Sequence, residues 1–293
     1  MRVITLTNRD LIRGFLSTDR FFADYAQGDL DPAHFQFTTW FCAEDAGELR
    51  AVVMLYNDLQ PPIFFATGEA RGIEAILDRT VTLPQIGLSI RKEHLPIVER
   101  FYRTEPVPML KMALLPEDFN PVIVSGSVTL SAAKSLWPPN EILRRSAAQN
   151  DTDKSIASCG SFAVTRLDVS HLPQLKALYA HGGGDAFRQR SLEHGVFYGV
   201  FGAGRLISVA GTHIVSDDEH IAALGNVMTH PDYRGQGLAT VATSAVCEQL
   251  LEHGIKLIGL SVSRSNDAAI LVYEKLGFKR KVSFYEGTAT RIS

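Results

Sequence analysis

Apolar residues in the last third of the chain follow first a strand-like and then a helix-like spacing. Residues 221–228 form a mostly apolar run that predicts a buried strand, and the turn His230-Pro231-Asp232 ends it. After a short loop, apolar residues recur at three- and four-residue intervals, which predicts an amphipathic helix: Leu238, Val241, Ala242, Ala245, Val246 and Leu250. Gly254 supplies the left-handed residue that commonly ends a helix.

The same order of strand and helix is repeated immediately afterwards. Residues 257–262 predict a short buried strand, and residues 266–278 predict a helix with a polar cap, Asn266, and a terminal glycine. Asn266 and Tyr273 are seven residues apart, so at about 100° per residue they lie nearly on one face. A plain helix cap and a half-buried core aromatic are the simplest roles for these two residues.

The loop between the first strand and its helix carries two glycines, in the order Arg234-Gly235-Gln236-Gly237. Glycine permits unusual backbone angles and close approach of a ligand, and the first amides of a helix lack internal partners. The segment therefore predicts a pyrophosphate site, with an ordinary strand-to-helix turn as the alternative. No Gly-Lys-Ser/Thr of a triphosphate loop follows. Thr240 replaces the third glycine of a dinucleotide fingerprint, which disfavours a dinucleotide oxidoreductase.

Residues from about Phe162 to Tyr285 resemble the GNAT superfamily of acyl-CoA-dependent N-acetyltransferases. The resemblance rests on Arg-Gly-x-Gly-x-Ala at 234–239, preceded by Val-Met-Thr-His-Pro, and on Val-Tyr-Glu-Lys-Leu-Gly-Phe at 272–278. It implies an α/β fold (α+β in some schemes) with a mixed, mostly antiparallel central sheet flanked by helices. It also implies transfer of an acetyl or other acyl group from acetyl-CoA, as co-substrate, to an amine by direct attack in a ternary complex.

The resemblance also implies roles for individual residues in holding the cofactor. The pyrophosphate is expected on the glycine loop and the pantetheine arm beside the preceding strand, where a backbone N–H of Val227 or Met228 could stabilise the oxyanion. The expected cofactor-binding residues are Val227, Met228, Arg234, Gly235, Gln236, Gly237, Leu238, Ala239, Asn266 and Tyr273.

Two residues are expected to move protons. Tyr273 matches the general acid of the family, and a phenol with a reference pKa of about 10 can protonate a departing thiolate. His220, at the start of the central strand, is the expected base. Glu219, His213 and a water chain are alternatives for that second role.

The first half of the chain shows a weaker version of the same order of elements. Residues 38–43 and 49–56 flank a polar turn and predict a hairpin. Residues 63–66 then predict a strand, residues 69–80 a helix and residues 86–90 another strand. This order matches that of the second half and indicates a repeated domain.

We therefore predict two tandem GNAT-like domains, a degenerate one at residues 1–149 and a catalytic one at residues 156–293, joined by a polar linker at 150–155. Residues 66–72 lack an adjacent Gly-x-Gly, and Glu69 would repel a phosphate. The first domain is expected to scaffold the second, to dimerise or to close the substrate cleft.

Composition limits the partners that the chain is expected to bind. The net charge of −3 shows no basic excess, so nucleic acid is not expected. No apolar run approaches the roughly 18 residues that cross a bilayer, and the first residues lack the apolar core of a signal peptide. No membrane partner and a cytoplasmic location are therefore expected. The three cysteines and nine histidines show no metal-ligand spacing, so no metal is expected.

The acceptor is expected to be a small-molecule amine or an amino acid, and a homodimer is compatible with the pattern. A non-catalytic acyl-CoA-binding or regulatory module is the alternative function. Tyr273 favours the enzyme over that module, because binding alone does not need a phenol at the general-acid position.

Overall fold

The computed structural model describes residues 1–122, 129–131, 162–184 and 187–292. Its helices span Arg9–Leu16 (α1), Asp24–Gly28 (α2), Pro32–Phe35 (α3), Ala70–Arg79 (α4), Leu95–Val98 (α5), Leu172–Tyr179 (α6), Gln189–His194 (α7), Leu238–Glu252 (α8) and Asp267–Lys275 (α9). Its strands span Arg2–Thr5 (β1), Thr38–Asp45 (β2), Glu48–Tyr56 (β3), Ile63–Gly68 (β4), Gln85–Arg91 (β5), Tyr102–Leu114 (β6), Thr129–Ser131 (β7), Phe162–Arg166 (β8), Tyr198–Gly202 (β9), Arg205–Ser216 (β10), Ile221–Thr229 (β11), Leu257–Ser263 (β12) and Lys279–Arg291 (β13).

The elements predicted from apolar spacing are confirmed. The hairpin is β2–β3, and the two strand–helix pairs of the second half are β11–α8 and β12–α9. Helix α9 begins one residue after its cap, Asn266, and ends at Lys275, before the predicted end at Phe278. The earlier end follows from Gly277, whose φ of 98° leaves the helical region. In the described ranges, no helix combines the length and apolar character needed to cross a membrane.

The thirteen strands of the described ranges form one sheet in the order β1-β2-β3-β4-β5-β13-β6-β12-β11-β10-β9-β8-β7. The pairings are antiparallel except for β4–β5, β11–β12 and β7–β8. Helix α4 connects β4 to β5, and helix α8 connects β11 to β12. Parallel neighbouring strands require such a crossover connection. The predicted mixed, mostly antiparallel sheet flanked by helices is therefore confirmed.

The two halves of the chain exchange a strand at the centre of this sheet. Strand β6 belongs to the first half by sequence, but it pairs with β12, from Ile258 opposite Leu114 to Ser263 opposite Met109. Strand β13, the last of the chain, pairs with β5 of the first half and with β6. Each exchanged strand covers an edge that would otherwise expose unpaired backbone groups.

The exchanged strands also carry core residues into the opposite half. Met112 and Leu114 of β6 are fully buried in the apolar cluster that packs beneath α8 and α9. Phe284 of β13 is buried among first-half residues beside α1 and α2. Neither half therefore has a complete core without a strand of the other. The predicted division at residues 149 and 156 lies outside the described residues and stays a prediction.

Helix α2 of the first half lies against the central strands of the second half. Tyr25 donates a hydrogen bond to the backbone oxygen of Leu224 on β11, at 3.3 Å. Arg13 holds Glu219 through two nitrogens, with Nη2 at 2.7 Å from Oε1. These contacts of α1 and α2 hold the first half against β11, beside the candidate site.

Candidate active site

Strands β11 and β12 run side by side for half of their length and then separate. Their parallel pairing extends from Ile221 opposite Leu257 to Leu224 opposite Leu260. Beyond that point β11 bends at Asn226, which has a left-handed φ of 53° and accompanies a register shift against β10. The bend opens a wedge between the two strands, and backbone groups that face it are available to an extended ligand.

The bend at Asn226 is held by side chains on both sides. Tyr179 of α6 donates a hydrogen bond of 2.8 Å to the backbone oxygen of Asn226. The side-chain amide of Asn226 donates to the backbone oxygen of Thr212 at 3.2 Å. Asparagine tolerates the left-handed region better than most residues, which explains its place at the bend.

The glycine loop lies directly after β11 and leaves open space above its backbone. Gly235 and Gly237 have φ angles of 76° and 75°, and a Cβ added at either position meets no described atom within 4 Å. Gly237 caps helix α8, and its backbone oxygen accepts the hydrogen bond of Val241 at 3.1 Å. The open backbone and the first turn of α8 fit a pyrophosphate, since the leading amides of a helix have no internal partner.

The equivalent loop of the first half is closed. A Cβ at Gly68 would collide with the backbone oxygen of Arg50 and would lie 2.7 Å from the Cα of Ala51. The pairing of β4 with β5 continues to Ala66 opposite Ile90, close to the ends of both strands at Gly68 and Arg91, whereas β11 continues for five residues beyond its pairing with β12. Glu69, whose carboxylate is 3.5 Å from the guanidinium of Arg50, precedes α4 with a negative charge.

Tyr273 lies on α9 with its ring in the core and faces the cavity beside the wedge. The residue is 7% exposed, and its ring meets that of Phe278 at 5.8 Å. Burial raises the pKa of the phenol to about 12, so the hydroxyl is protonated at neutral pH. Tyr273 lines the same cavity as Val227 and Asn266, which brings three of the predicted site residues together.

The other predicted cofactor residues lie around the wedge and the loop. Asn266 caps α9 by accepting a hydrogen bond of 3.1 Å from the amide of Ala269. Met228 points away from the cavity, into the apolar cluster beneath α6. Arg234 is exposed and donates to the backbone oxygen of Thr229 at 3.4 Å. The remaining members of the predicted set are the exposed Gln236, the buried Leu238 and the half-buried Ala239.

His220 is not near the other predicted catalytic residue. It lies exposed in the turn that precedes β11, and its backbone oxygen accepts bonds from Lys256 and Leu257. The wedge opens at the other end of the strand, roughly 20 Å away at about 3.3 Å per residue. This placement corrects the expectation that His220 acts as the base, because spacing along a strand does not show which end meets the ligand.

The two alternatives to His220 have different environments. Glu219 is occupied by its ion pair with Arg13 and has a side chain only 3% exposed. His213 lines the cavity, where burial and the charge of Lys111 lower its pKa to about 4. Its Nδ1 lies 3.3 Å from the side-chain amide of Asn226. Of the three, only His213 can reach a molecule in the cavity.

The cavity has a volume of about 780 Å³ and lies between the two halves. Residues of α2, α3, β3 and β4 form one wall, and residues of β11, β12, α7 and α9 form the other. Strand β13 contributes Glu286. The first half thus forms part of the cavity lining, to which it contributes Tyr25, Asp29, His34 and Tyr56. None of these four belongs to a recognisable motif, and Asp24 and Asp31 lie so close to Asp29 in the sequence that nothing there singles Asp29 out.

Two carboxyl groups in the cavity lining have pKa values raised by burial. Asp29 is 3% exposed, and its pKa rises to about 8 despite the positive charges of Lys111 and Arg190. Its Oδ1 is buried without a hydrogen-bond partner. Glu286, near Ser261 of β12, also has a raised pKa. Among the described residues, no group of three or more His, Cys, Asp or Glu side chains is arranged to hold a metal ion.

Comparison with known proteins connects this geometry to a family. Residues 166–278 match the family model of the acetyltransferase (GNAT) family. The [ribosomal protein bS18]-alanine N-acetyltransferase of Escherichia coli K12 is 37% identical over 75 residues, which are 26% of this chain and 49% of that protein. The chain therefore spans about half the length of this curated relative.

Two solved structures share the fold over nearly the whole chain. A Drosophila protein superposes with a TM-score of 0.64 at 12% identity, covering 99% of this chain and 98% of that one. A tandem GNAT protein from the clavulanic acid biosynthesis pathway gives 0.55 at 12% identity, with the same coverage. At 12% sequence identity, the similarity to these two structures shows a shared fold and nothing further. Residues 166–278 therefore form a domain of the acetyltransferase (GNAT) family, and the whole chain shares its fold with a tandem GNAT protein.

Proposed function

We propose that this protein transfers an acyl group, most simply acetyl, from acetyl-CoA to the amine of a small molecule held between its two halves. The observation that carries the proposal is the joint position of the wedge, Tyr273 and the open glycine loop around one end of β11. Acetyl-CoA, when bound, supplies the activated acyl thioester. The same site would serve a non-catalytic binding module, so turnover has to be measured.

The cofactor would be held mainly by backbone groups. Gly235, Gln236, Gly237 and the first turn of α8 would hold the pyrophosphate, and Arg234 would add positive charge at the surface. The pantetheine arm would lie in the wedge beside Val227, where β11 no longer pairs with β12. The Val227 and Met228 amides are the donors proposed for the acyl oxygen, with Val227 favoured because it lines the cavity.

Tyr273 is proposed as the general acid. Its pKa of about 12 keeps the proton on the phenol at neutral pH, and the departing thiolate is a base of lower pKa, near 8.5. Complete transfer is uphill by this difference, so the phenol would first stabilise the charge that develops on the sulfur through a hydrogen bond, and solvent would return the proton to the phenolate after transfer. Among the described residues, none forms a hydrogen bond with the Tyr273 hydroxyl, so the hydroxyl is available to a molecule in the cavity.

Glu286 is proposed as the group that removes the proton from the acceptor ammonium. It lines the cavity next to Ser261, at the start of the wedge, and burial raises its pKa toward that of a useful base. His213 is the alternative, but a pKa of about 4 makes it a weak base. Exchange of β13 into the sheet is what brings Glu286 to this position.

The proposal is tested by measuring CoA binding and turnover separately. Calorimetry with CoA is expected to give one site per chain, because the loop at Gly68 is closed. Acetyl-CoA with a panel of primary amines is expected to release thiol and to give an acetylated amine by mass spectrometry. Tight CoA binding without turnover on any amine would favour the binding module, and two equivalent CoA sites would contradict a degenerate first half.

A further inference from the structure

Asp29 is a buried acidic group in the acceptor cavity that the protein itself does not satisfy. The residue is 3% exposed, and its Oδ1 makes no hydrogen bond. A buried carboxyl without a partner costs the folded protein free energy, so such a group is commonly retained for binding. Asp29 comes from the first half of the chain, just after α2, and lines the cavity that also contains Tyr273.

The cations around Asp29 are already engaged. Arg190 donates to Asp58 at 2.8 Å and lies over the ring of Phe37 at 4.2 Å. Lys111 is paired with Asp24 at 2.6 Å. Arg188 donates to the backbone oxygen of Phe187 at 2.9 Å. These three described cations thus have partners, while Oδ1 of Asp29 makes no hydrogen bond.

The two buried histidines of the lining, His34 and His213, do not supply a positive charge to Asp29. Burial lowers the pKa of His34 and that of His213, which keeps both rings uncharged near neutral pH. Glu286 of β13 adds a second acidic group to the lining. The aromatic rings of Tyr25, Phe37 and Tyr56 complete this part of the lining, and aromatic faces attract cations.

We infer that the acceptor carries a second positive charge besides the amine that is acetylated, and that Asp29 binds that second cation. The acceptor class is then a diamine or another molecule with two basic groups. This inference rests on the proposed acyl transfer, and it makes the first half of the chain the part that selects the acceptor. An amino-acid acceptor would instead need a free cation for its carboxylate.

Binding to the full chain saturated with CoA tests the inference without turnover. The probes are butylamine, 1,4-diaminobutane, 1,5-diaminopentane and 4-aminobutanoate, measured by calorimetry at pH 9, above the folded pKa of about 8 at which Asp29 ionises. At least one diamine is expected to bind about tenfold or more tightly than butylamine, since a charge-assisted hydrogen bond is gained. The anionic 4-aminobutanoate is expected to bind more weakly than butylamine.

Asp29→Asn is expected to reduce the ratio of diamine to butylamine affinity to near one, with CoA affinity unchanged. Asp78→Asn removes an exposed charge from α4 and is the matched control, which should keep the ratio. Asp29→Glu retains the carboxyl group and should keep part of the preference for diamines over butylamine. The comparison of ligands on the unsubstituted protein does not depend on whether any variant folds.

Failure of this inference can be told apart from failure of the proposed function. Equal binding of butylamine and both diamines, preference for 4-aminobutanoate, or no amine binding at all would overturn the role of Asp29. Thiol release with butylamine would still support acyl transfer in that case. Absence of CoA binding would instead refute the acyltransferase proposal, whatever the diamines do.

Discussion

The amino group of Lys111 lies 2.6 Å from Oδ1 of Asp24, and both side chains are only 2% exposed. Lys111 is on the exchanged strand β6, and Asp24 begins helix α2 of the first half. The ammonium also lies 3.5 Å from the centre of the Tyr25 ring. The pair ties α2, and with it the wall that carries Asp29, to the strand that borders β12.

Lys111→Met is expected to destabilise the protein by about 3–5 kcal/mol, because it leaves the carboxylate of Asp24 buried without its partner. Urea denaturation measures this change. Lys279→Met is the matched control, since Lys279 pairs with Asp118 but is 58% exposed, and it should cost about 0–1 kcal/mol. The double variant Asp24→Asn with Lys111→Met should recover part of the loss. Equal effects of the two lysine variants would show that burial of the pair has no energetic consequence.

Gly237→Val is expected to abolish measurable CoA binding, because its side chain would occupy the open space above the first turn of α8. The left-handed φ should also cost about 1–2 kcal/mol of stability. Gly204→Val provides the control: Gly204 has a φ of 77° and equally open surroundings, but it lies in the turn between β9 and β10. Calorimetry should find CoA binding only in the Gly204 variant. Normal affinity in a folded Gly237 variant would place the site elsewhere.

Tyr273→Phe is expected to lower turnover by roughly 10²–10⁴-fold, the range for loss of a general acid, with little change in CoA affinity. The ring keeps its contact with Phe278, so melting temperature should change little. Tyr198→Phe removes another buried phenol from the same core cluster but not from the cavity, and turnover should stay near normal. A folded Tyr273→Phe enzyme with normal kcat would remove the general-acid assignment and leave acyl transfer itself intact.

Asp29→Asn is expected to stabilise the free protein increasingly as pH rises. The pKa of Asp29 is about 8 in the folded protein, above the ordinary value of 3.8. Between these two pH values the folded state therefore keeps a proton that the unfolded state has already lost. The unsubstituted protein therefore loses stability from about pH 4 to about pH 8, on the order of 5–6 kcal/mol in total, and the variant does not.

Urea denaturation at pH 5, 7 and 9 measures the effect of Asp29→Asn, with Asp78→Asn as the control for a change in surface charge. The two variants should differ little at pH 5 and most at pH 9. If the Asp29→Asn variant is less stable than the unsubstituted protein at pH 9, Asp29 stabilises the fold. It would also argue against its retention as a binding group.

Some features of the site follow from short-range patterns. The spacing of Leu238, Val241 and Ala242 and the stop at Gly254 predict α8, and the two glycines before it predict the open turn. Seven-residue spacing places Asn266 and Tyr273 on one face of α9, and both line the cavity. These predictions succeed because helix period, capping and glycine backbone angles depend on residues that are close in sequence.

The exchanged strands do not show in the sequence pattern. Strand β6 contains Pro106 and Pro108, residues that usually disfavour a strand, and β13 begins with three charged residues, Lys279, Arg280 and Lys281. Their strand conformation depends on pairing with β12 and β5, which are distant in the chain. The sequence pattern therefore predicted the two halves but not the exchange of β6 and β13 that joins them.

Sequence alone determined the class of the second half, its glycine loop and the position of Tyr273, because each depends on local backbone geometry. Only the tertiary structure decided that Asp29, Glu286 and His213 face one cavity and that His220 does not. Strand exchange brings Glu286 into the sheet, and α2 carries Asp29 across to β11. Contacts between residues so far apart in sequence arise from burial of shared apolar surface, which no local spacing specifies.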